Sequence, residues 1–476
     1  MTDAVWLGIG VDPGAAEPLY LQLYGEVRDR ILSGVARTGA RLPSSRAFAA
    51  ELGVARATVV AAYDQLAAEG YLTARRGAGL FVADTPDDQL MTSSPATVKS
   101  HTPPQPRSKS SSPPFRPGAP DLRLFPHAEW ARIMGQVWRR RGLPMLAEDD
   151  PMGSPRLRRA IAEHLKAWRG LEVRSEDIAV TSGASGALDL AMDAFTRPGD
   201  LIACENPGYA ALPHLVRGRG LRLAAAEAGP DGVSPAALKA LERPQMVIVT
   251  PSHQFPLGGA LPIGRRRELL AWSAATGAVL VEDDYDSEYR YAGRPLPALA
   301  SAGGATPVLY VGTFSKVFWT GLRLGFLAAP EALGEAVRQA AGRRGAGASV
   351  AAQEPLAAFM ESGGFGRHLR RMRRVYAERR RTLLSLLADR FGPEDLQLTS
   401  HPAGMHVLAR LGPRLGARMT DSEASARAEA AGLWLAPLSR YCFAPPIRQG
   451  LLFGFAAFTP VELEQAANRL KAALRA

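Results

Sequence analysis

Two folding units of different class are predicted: a short helical unit ending in a β-hairpin, and a large α/β unit behind it. Three observations carry this. Residues 1–85 place apolar side chains at helical spacing and then give two short strand-like runs. Residues 86–114 are rich in Pro, Ser and Thr with no apolar periodicity, so they cannot bury a core and act as a flexible tether. From Phe115 to Ala476 apolar strand-like runs alternate with helical ones, the pattern of a sheet covered by helices on both faces. A chain of 476 residues exceeds one small core, which agrees with this division.

Composition narrows the setting. No apolar run approaches the ~18 residues that a membrane span needs. The opening MTDAVWLGIGVD lacks a basic region before an apolar core, so it does not read as a signal peptide. Cys204 and Cys442 are too few for a disulfide framework and lack metal-ligand spacing. A cytoplasmic protein without a metal centre or membrane segment is expected. The net charge of +11 suits a polyanionic partner. Residues 1–85 nevertheless carry 8 Lys+Arg against 9 Asp+Glu, so any nucleic-acid contact there rests on a local patch.

In the front unit, Tyr20, Leu23, Tyr24, Val27 and Ile31 line one face of a first helix ending near Ser33–Gly34. Ser44 and Ser45 can cap a second helix that turns Phe48, Ala49 and Leu52 inward, and Gly53 stops it. A third helix runs from about Ala57 to Ala68 over Val59, Tyr63 and Leu66. Two helices joined by a tight Gly-containing turn have helix-turn-helix spacing. Tyr71–Thr73 and Leu80–Val82 then form a hairpin around the basic tip Arg75-Arg-Gly-Ala-Gly79. This stretch resembles the winged helix-turn-helix of the GntR family. The resemblance implies binding to a double-stranded DNA operator through Arg46, Arg56, Thr58, Arg75, Arg76 and Gly77. One departure is Ala55, where that family commonly has a serine; its loss removes an N-cap worth about 1 kcal/mol.

In the back unit, Leu157–Trp168 reads as an amphipathic helix. Ile178–Thr181, Leu201–Ala203, Met246–Thr250, Val279–Glu282 and Val308–Gly312 read as strands, with helices at Ala187–Phe195 and near Arg265–Thr276. Ligands of such sheets bind at the carboxyl ends of strands, and four polar clusters sit there. Thr181-Ser-Gly-Ala-Ser185 ends a strand and opens a helix, offering backbone N–H groups to a phosphate. Glu205-Asn-Pro-Gly-Tyr209 presents an aromatic ring for stacking. Glu282-Asp-Asp-Tyr-Asp286 offers a carboxylate for a pyridine nitrogen and a tyrosine for a ring hydroxyl. Thr313-Phe-Ser-Lys316 with Arg323 supplies a lysine for an aldehyde beside three phosphate-holding side chains. Together these describe pyridoxal 5′-phosphate.

The whole of 115–476 resembles class I aminotransferases, the fold-type I enzymes that use this cofactor. With its GntR-like front, the chain is similar to the MocR/GabR family of regulators. F-R-P-G-A-P-D-L-R-L-F-P, T-P-S-H-Q-F-P, E-D-D-Y-D-S-E-Y-R-Y and G-T-F-S-K carry that similarity. It implies an α/β/α sandwich with a smaller α+β subdomain. It further implies Lys316 as the Schiff-base lysine, Asp283 at the pyridine nitrogen, Tyr285 at the ring hydroxyl and Tyr209 stacked on the ring. Gly183, Ala184, Ser185, Thr313, Ser315 and Arg323 would surround the phosphate. A head-to-tail, domain-swapped homodimer is implied as well.

Two departures bear on catalysis. Phe255-Pro-Leu-Gly258 has a phenylalanine where aminotransferases carry an asparagine. Leu451-Leu-Phe-Gly-Phe455 lacks the arginine that grips a substrate carboxylate, and Arg440 is the replacement candidate. Weakened positioning suits sensing of an amino acid, amine or B6 vitamer by aldimine exchange at Lys316, with low or no turnover. The alternative is an active aminotransferase with an accessory DNA-binding domain. Residues 366–381 hold eight arginines in helical context, either a solvated face or a phosphate-contacting surface.

Overall fold

The computed structural model describes residues 4–75, 78–84, 113–146, 150–293, 296–304, 306–345, 347–399 and 401–475. The chain divides into two compact units, 1–108 and 109–476, each with its own core.

The first unit packs α1 (Leu19–Leu32), α2 (Ser45–Leu52) and α3 (Arg56–Ala68) against the antiparallel hairpin β1 (Leu72–Arg75) and β2 (Gly79–Val82). Ser44 caps α2 by accepting the Ala47 N–H at 3.2 Å, and Gly53 closes it at φ 65°, a left-handed conformation that favours glycine. Leu23, Phe48, Val59, Leu66 and Leu72 are buried together, and the indole of Trp6 donates to the Arg41 carbonyl at 2.9 Å. Three details differ from expectation. The third helix begins one residue earlier, at Arg56; Leu52 is only half-buried; and the first wing strand runs to Arg75, because pairing of Arg75 with Gly79 extends the ladder to the turn. Arg76 and Gly77 lie outside the described residues.

The second unit begins with α4 (His127–Leu146), α5 (Pro155–Arg169), β3 (Ile178–Thr181), α6 (Ala184–Phe195), β4 (Leu201–Asn206), α7 (Leu212–Gly218), β5 (Arg222–Gly229) and β6 (Gly232–Val233). It continues through α8 (Pro235–Lys239), β7 (Met246–Val249), α9 (Ile263–Thr276), β8 (Val279–Asp284), β9 (Val308–Thr313), β10 (Gly325–Ala328), α10 (Glu331–Arg344), α11 (Val350–Glu361) and α12 (Gly364–Arg390). The eight-stranded sheet has the order β3-β10-β9-β8-β7-β4-β5-β6. It is mixed: β10 runs antiparallel between β3 and β9, while β5, β4, β7, β8 and β9 are parallel. One apolar layer joins this sheet to α6, α7 and α10, and another joins it to α8 and α9, so both faces are covered.

The chain ends in β11 (Leu396–Leu398), β12 (His406–Leu411), α13 (Pro413–Gly416), α14 (Asp421–Ala430), β13 (Ala436–Pro437), β14 (Leu451–Gly454) and α15 (Pro460–Arg475). These give a smaller antiparallel sheet of order β11-β12-β14-β13, packed with α12, α14 and α15. Pro114, expected in the tether, is tied to this unit, because its carbonyl accepts the Trp434 N–H at 2.8 Å. Among the described residues no helix is long and apolar enough to cross a membrane.

Several arginines are buried. Arg169 ends α5 at 3% exposure, paired with Asp284 at 2.9 Å and Glu282 at 3.5 Å. Arg379 pairs with Asp121 at 2.8 Å, and Arg380 is buried beside it on α12. The arginine-rich helix is therefore not one solvated face. Arg367, Arg370, Arg371, Arg374 and Arg381 are exposed, and the seam of Leu369, Met372, Tyr376 and Leu383 is buried.

Candidate functional site

The pleat of β8 sorts its acidic end. Glu282 and Asp284 turn to Arg169, whereas Asp283 lines a cavity of about 230 Å³ at the carboxyl ends of β3, β8 and β9. Lys316, Tyr209, Tyr285 and Arg323 line the same cavity, with Gly183, Ala184, Ser185, Thr313 and Ser315. The ten residues expected around one cofactor thus meet at one place, although they come from four separate stretches of chain. Arg440 does not line this cavity; it lines a neighbouring one that shares Lys316, Tyr209, Phe255 and Tyr285.

At the phosphate end, Gly183 stands at the N-cap of α6 at φ 91°, with no side chain to cap the first turn. First-turn N–H groups of a helix have no intrahelical acceptor and attract anions. Thr313 Oγ1 accepts the Ser315 N–H at 3.1 Å, shaping the turn before Lys316. Arg323 holds φ 53°, a left-handed backbone that L residues rarely take. Gly325 explains how β10 passes so close: a Cβ there would stand 2.6 Å from the Gly183 carbonyl carbon and 2.8 Å from the Gly312 oxygen. Gly325→Ala should therefore destabilise the unit by about 1–3 kcal/mol and weaken cofactor binding, read by thermal melts and cofactor titration. Wild-type values for both would show that the backbone yields.

Lys316 Nζ donates to the Gly118 carbonyl at 3.1 Å. Burial holds its ammonium below the usual value, opposed by the nearby charge of Asp286 and reinforced by Arg116. Asp283 is 8% exposed, and its Oδ1 has no hydrogen-bond partner. Burial, then the neighbouring charges of Asp284, Glu205 and Asp286, push its carboxyl up to about 7.

His253, assigned no role from the sequence, and Phe255, named there only as a departure, frame Tyr285. His253 Nδ1 lies 2.9 Å from Asp286 Oδ1 and 2.8 Å from the Tyr285 hydroxyl. A carboxylate only accepts, so we assign the proton to Nδ1. That nitrogen then cannot accept from Tyr285, whose hydroxyl hydrogen is left for a partner in the cavity. Phe255 meets the Tyr285 ring edge-on, with centroids 5.5 Å apart. Below them, Glu205 accepts from the Thr250 N–H at 2.9 Å and from its hydroxyl. His253 and Asp286 both stood in view, within T-P-S-H-Q-F-P and E-D-D-Y-D; their pairing across 33 residues did not.

In the first unit, Arg56 Nε donates to Ser45 Oγ at 3.3 Å, bringing the starts of α2 and α3 together beside exposed Arg46. Ala55 precedes α3 without a side-chain cap, and Thr58 is half-buried in the first turn. The Arg75 guanidinium lies 4.6 Å over the Phe81 ring on the exposed hairpin.

Residues 149–470 match the family model "Aminotransferase class I and II", and residues 19–82 match "Bacterial regulatory proteins, gntR family". Over 98% of its length the chain is 35% identical to a probable rhizopine catabolism regulatory protein, MocR of Rhizobium meliloti, covering 96% of that protein. The chain belongs to the MocR-type regulators. A second relative, the HTH-type pyridoxine biosynthesis transcriptional regulator PdxR of Corynebacterium glutamicum, is 34% identical over 94% of each chain. Among solved structures, α-aminoadipate aminotransferase LysN of Thermus thermophilus superposes with a TM-score of 0.68 at 30% identity. That match covers 76% of this chain and 91% of LysN, which was crystallised with N-(5′-phosphopyridoxyl)-L-leucine.

The cofactor of this MocR-type chain is pyridoxal 5′-phosphate, and the residues present fit it. The unpartnered, buried Asp283 oxygen suits a protonated ring nitrogen, and the α6 N-terminus with Arg323 suits a phosphate.

Proposed function

We propose that the chain is a DNA-binding transcriptional regulator in which residues 115–476 sense an amino acid, an amine or a B6 vitamer, and residues 1–85 read the operator. The carrying observation is Lys316, which lines both the cofactor cavity and the neighbouring cavity that opens beside it. When bound, the cofactor supplies an aldehyde carbon that bonds reversibly to a primary amine and a ring that withdraws electrons. Asp283 holds the ring-nitrogen proton, Tyr285 donates to the ring hydroxyl, and Tyr209 stacks on the ring. Gly183, Ala184, Ser185, Thr313, Ser315 and Arg323 fix the phosphate. Lys316 yields its place to the effector amine, and the filled site favours one state of the large unit. Residues 86–114 tether the reader, and the working form is a head-to-tail, domain-swapped homodimer in the cytoplasm.

A second reading, turnover as an aminotransferase, is favoured by the likeness to LysN. Against it stand Phe255 at the ring side and the absence of arginine from β14, which reads Leu-Leu-Phe-Gly. Titration of the purified protein with amines separates the two. A regulator shows a spectral change with a shifted DNA footprint and little 2-oxo-acid product; rapid multiple turnover without a footprint change would overturn the regulatory reading.

The front unit makes its own prediction. Arg75→Ala should weaken binding to all duplexes alike and reduce the salt slope of log K by about 1, whereas Arg56→Ala should also relax base preference by about 1–3 kcal/mol. Gel shifts at several salt concentrations test this. Unchanged binding in both variants would move the contact to another surface.

A further inference from the structure

In neutral water a primary amine is an ammonium ion, whose nitrogen has no lone pair to offer an aldehyde carbon. A group beside Lys316 has to take its proton before a carbon–nitrogen bond can form. In the sensing function proposed above, Asp283 serves the ring nitrogen and Tyr285 the ring hydroxyl, so neither takes it. Asp286 stands where the need arises. It is 1% exposed, it lines the neighbouring cavity of about 240 Å³ together with Lys316, and its Oδ2 has no hydrogen-bond partner. Its other oxygen is held, because buried His253 offers the Nδ1 proton to Oδ1 at 2.9 Å. The His253 ring is itself wedged in place: a Cβ on Gly404, at φ 76°, would stand 2.5 Å from Nδ1. On its other side the ring stacks on Tyr285 with centroids 5.6 Å apart.

The other groups that face Asp286 are poor rivals for the proton. Lys316 follows β9 and is the nitrogen being replaced; Arg116, from segment 113–121, lines the same cavity and only donates. His406 on β12 donates from Nε2 to the Pro256 carbonyl at 3.0 Å. Burial, then the nearby His253, push its pKa down to about 4, which makes it a weak base. Tyr289 and Tyr291, beyond β8, are raised by burial and keep their protons at neutral pH. Asp283 and Tyr285 precede Asp286 on its own segment and are engaged with the cofactor. One buried carboxylate oxygen is thus left open beside the lysine.

We propose that Asp286 is the proton carrier of amine exchange at Lys316 and that His253 is its positioning residue. Asp286 Oδ2 takes the proton that the incoming ammonium must lose, and delivers a proton to the lysine nitrogen as the bond between that nitrogen and the cofactor carbon breaks. The bonding pair stays with the lysine nitrogen, the lone pair of the amine makes the new carbon–nitrogen bond, and nothing is oxidised or reduced. His253 keeps Oδ1 occupied, so Oδ2 is the oxygen turned to the cavity. This rests on the sensing function proposed above and adds how exchange proceeds at a pH where amines are charged.

The test uses the full-length protein with bound cofactor, mixed rapidly with 2- to 6-carbon alkyl amines and amino acids while the visible spectrum is followed. Methoxyamine, whose nitrogen is already neutral at pH 7, is run in parallel. Asp286→Asn should slow the alkyl amines and amino acids at least about a hundredfold, and methoxyamine by no more than about threefold. In that variant the slowed rates should rise about tenfold per pH unit from about pH 6 to 9, since only free amine then reacts. His253→Leu should behave like Asp286→Asn, and His253→Asn, whose amide N–H can replace Nδ1–H, should recover part of the rate. In cofactor-free protein the nitrogen-15 signals of His253 should report a protonated Nδ1. Wild-type rates in Asp286→Asn, equal slowing of both kinds of amine, or a bare Nδ1 would overturn the proposal and leave sensing intact. If no alkyl amine or amino acid changes the wild-type spectrum, sensing and proton carrier fall together.

Discussion

Lys316→Ala should give a protein that lacks the internal-aldimine absorption and to which borohydride fixes no cofactor, because among the described residues no other lysine lines the cavity. The effector response should vanish with it, while DNA affinity persists, since Arg46, Arg56 and Arg75 belong to a unit with its own core. The expected loss is complete rather than graded: without the amine there is no bond for an effector to replace. Phosphate contacts leave the variant able to bind cofactor reversibly, so absorption and covalent fixation must be measured separately. A footprint that still shifts with effector in this variant would show that exchange at the lysine is not the trigger.

The second large effect concerns Asp283 and pH. Its carboxyl is pushed from 3.8 to about 7, first by burial and then by neighbouring carboxylates. A carboxyl whose pKa is raised by folding keeps a proton that the unfolded chain releases. Cofactor-free protein should therefore be most stable below about pH 4 with respect to this group and lose stability as pH rises to about 7. At 1.36 kcal/mol per pH unit the full loss is on the order of 4 kcal/mol. Asp283→Asn should flatten that slope and make the cofactor-free protein more stable at pH 8, yet weaken its hold on the cofactor. Urea midpoints at pH 5 and pH 8 decide the matter; equal slopes in the two proteins would remove Asp283 from the account.

What the sequence made legible follows from the range of the forces involved. The helix-turn-helix was readable because its determinants are local: Ser44 caps three residues ahead, and Gly53 takes a left-handed conformation at once. Strands β3, β7 and β9 were readable because sheet strands covered on both faces are continuous apolar runs. The antiparallel β10 was not, since Gly-Phe-Leu-Ala carries no sign of its direction. Its place depends on Gly325 clearing Gly183 and Gly312, far apart in sequence. The small sheet of β11–β14 likewise forms from short strands with little periodicity. Among charged residues the limit is sharper. Arg169, Arg379 and Asp286 look like surface residues until partners 115, 258 and 33 positions away are found.

Lys316 reaches across to Gly118, where φ is 68° and an added Cβ would stand 2.7 Å from Nζ. Gly118 lies four residues after Pro114, whose own carbonyl is tied to Trp434. In the sensing function proposed above, release of the lysine nitrogen frees the carbonyl of Gly118, so the first segment of the large unit loses a side-chain anchor at the moment the effector binds.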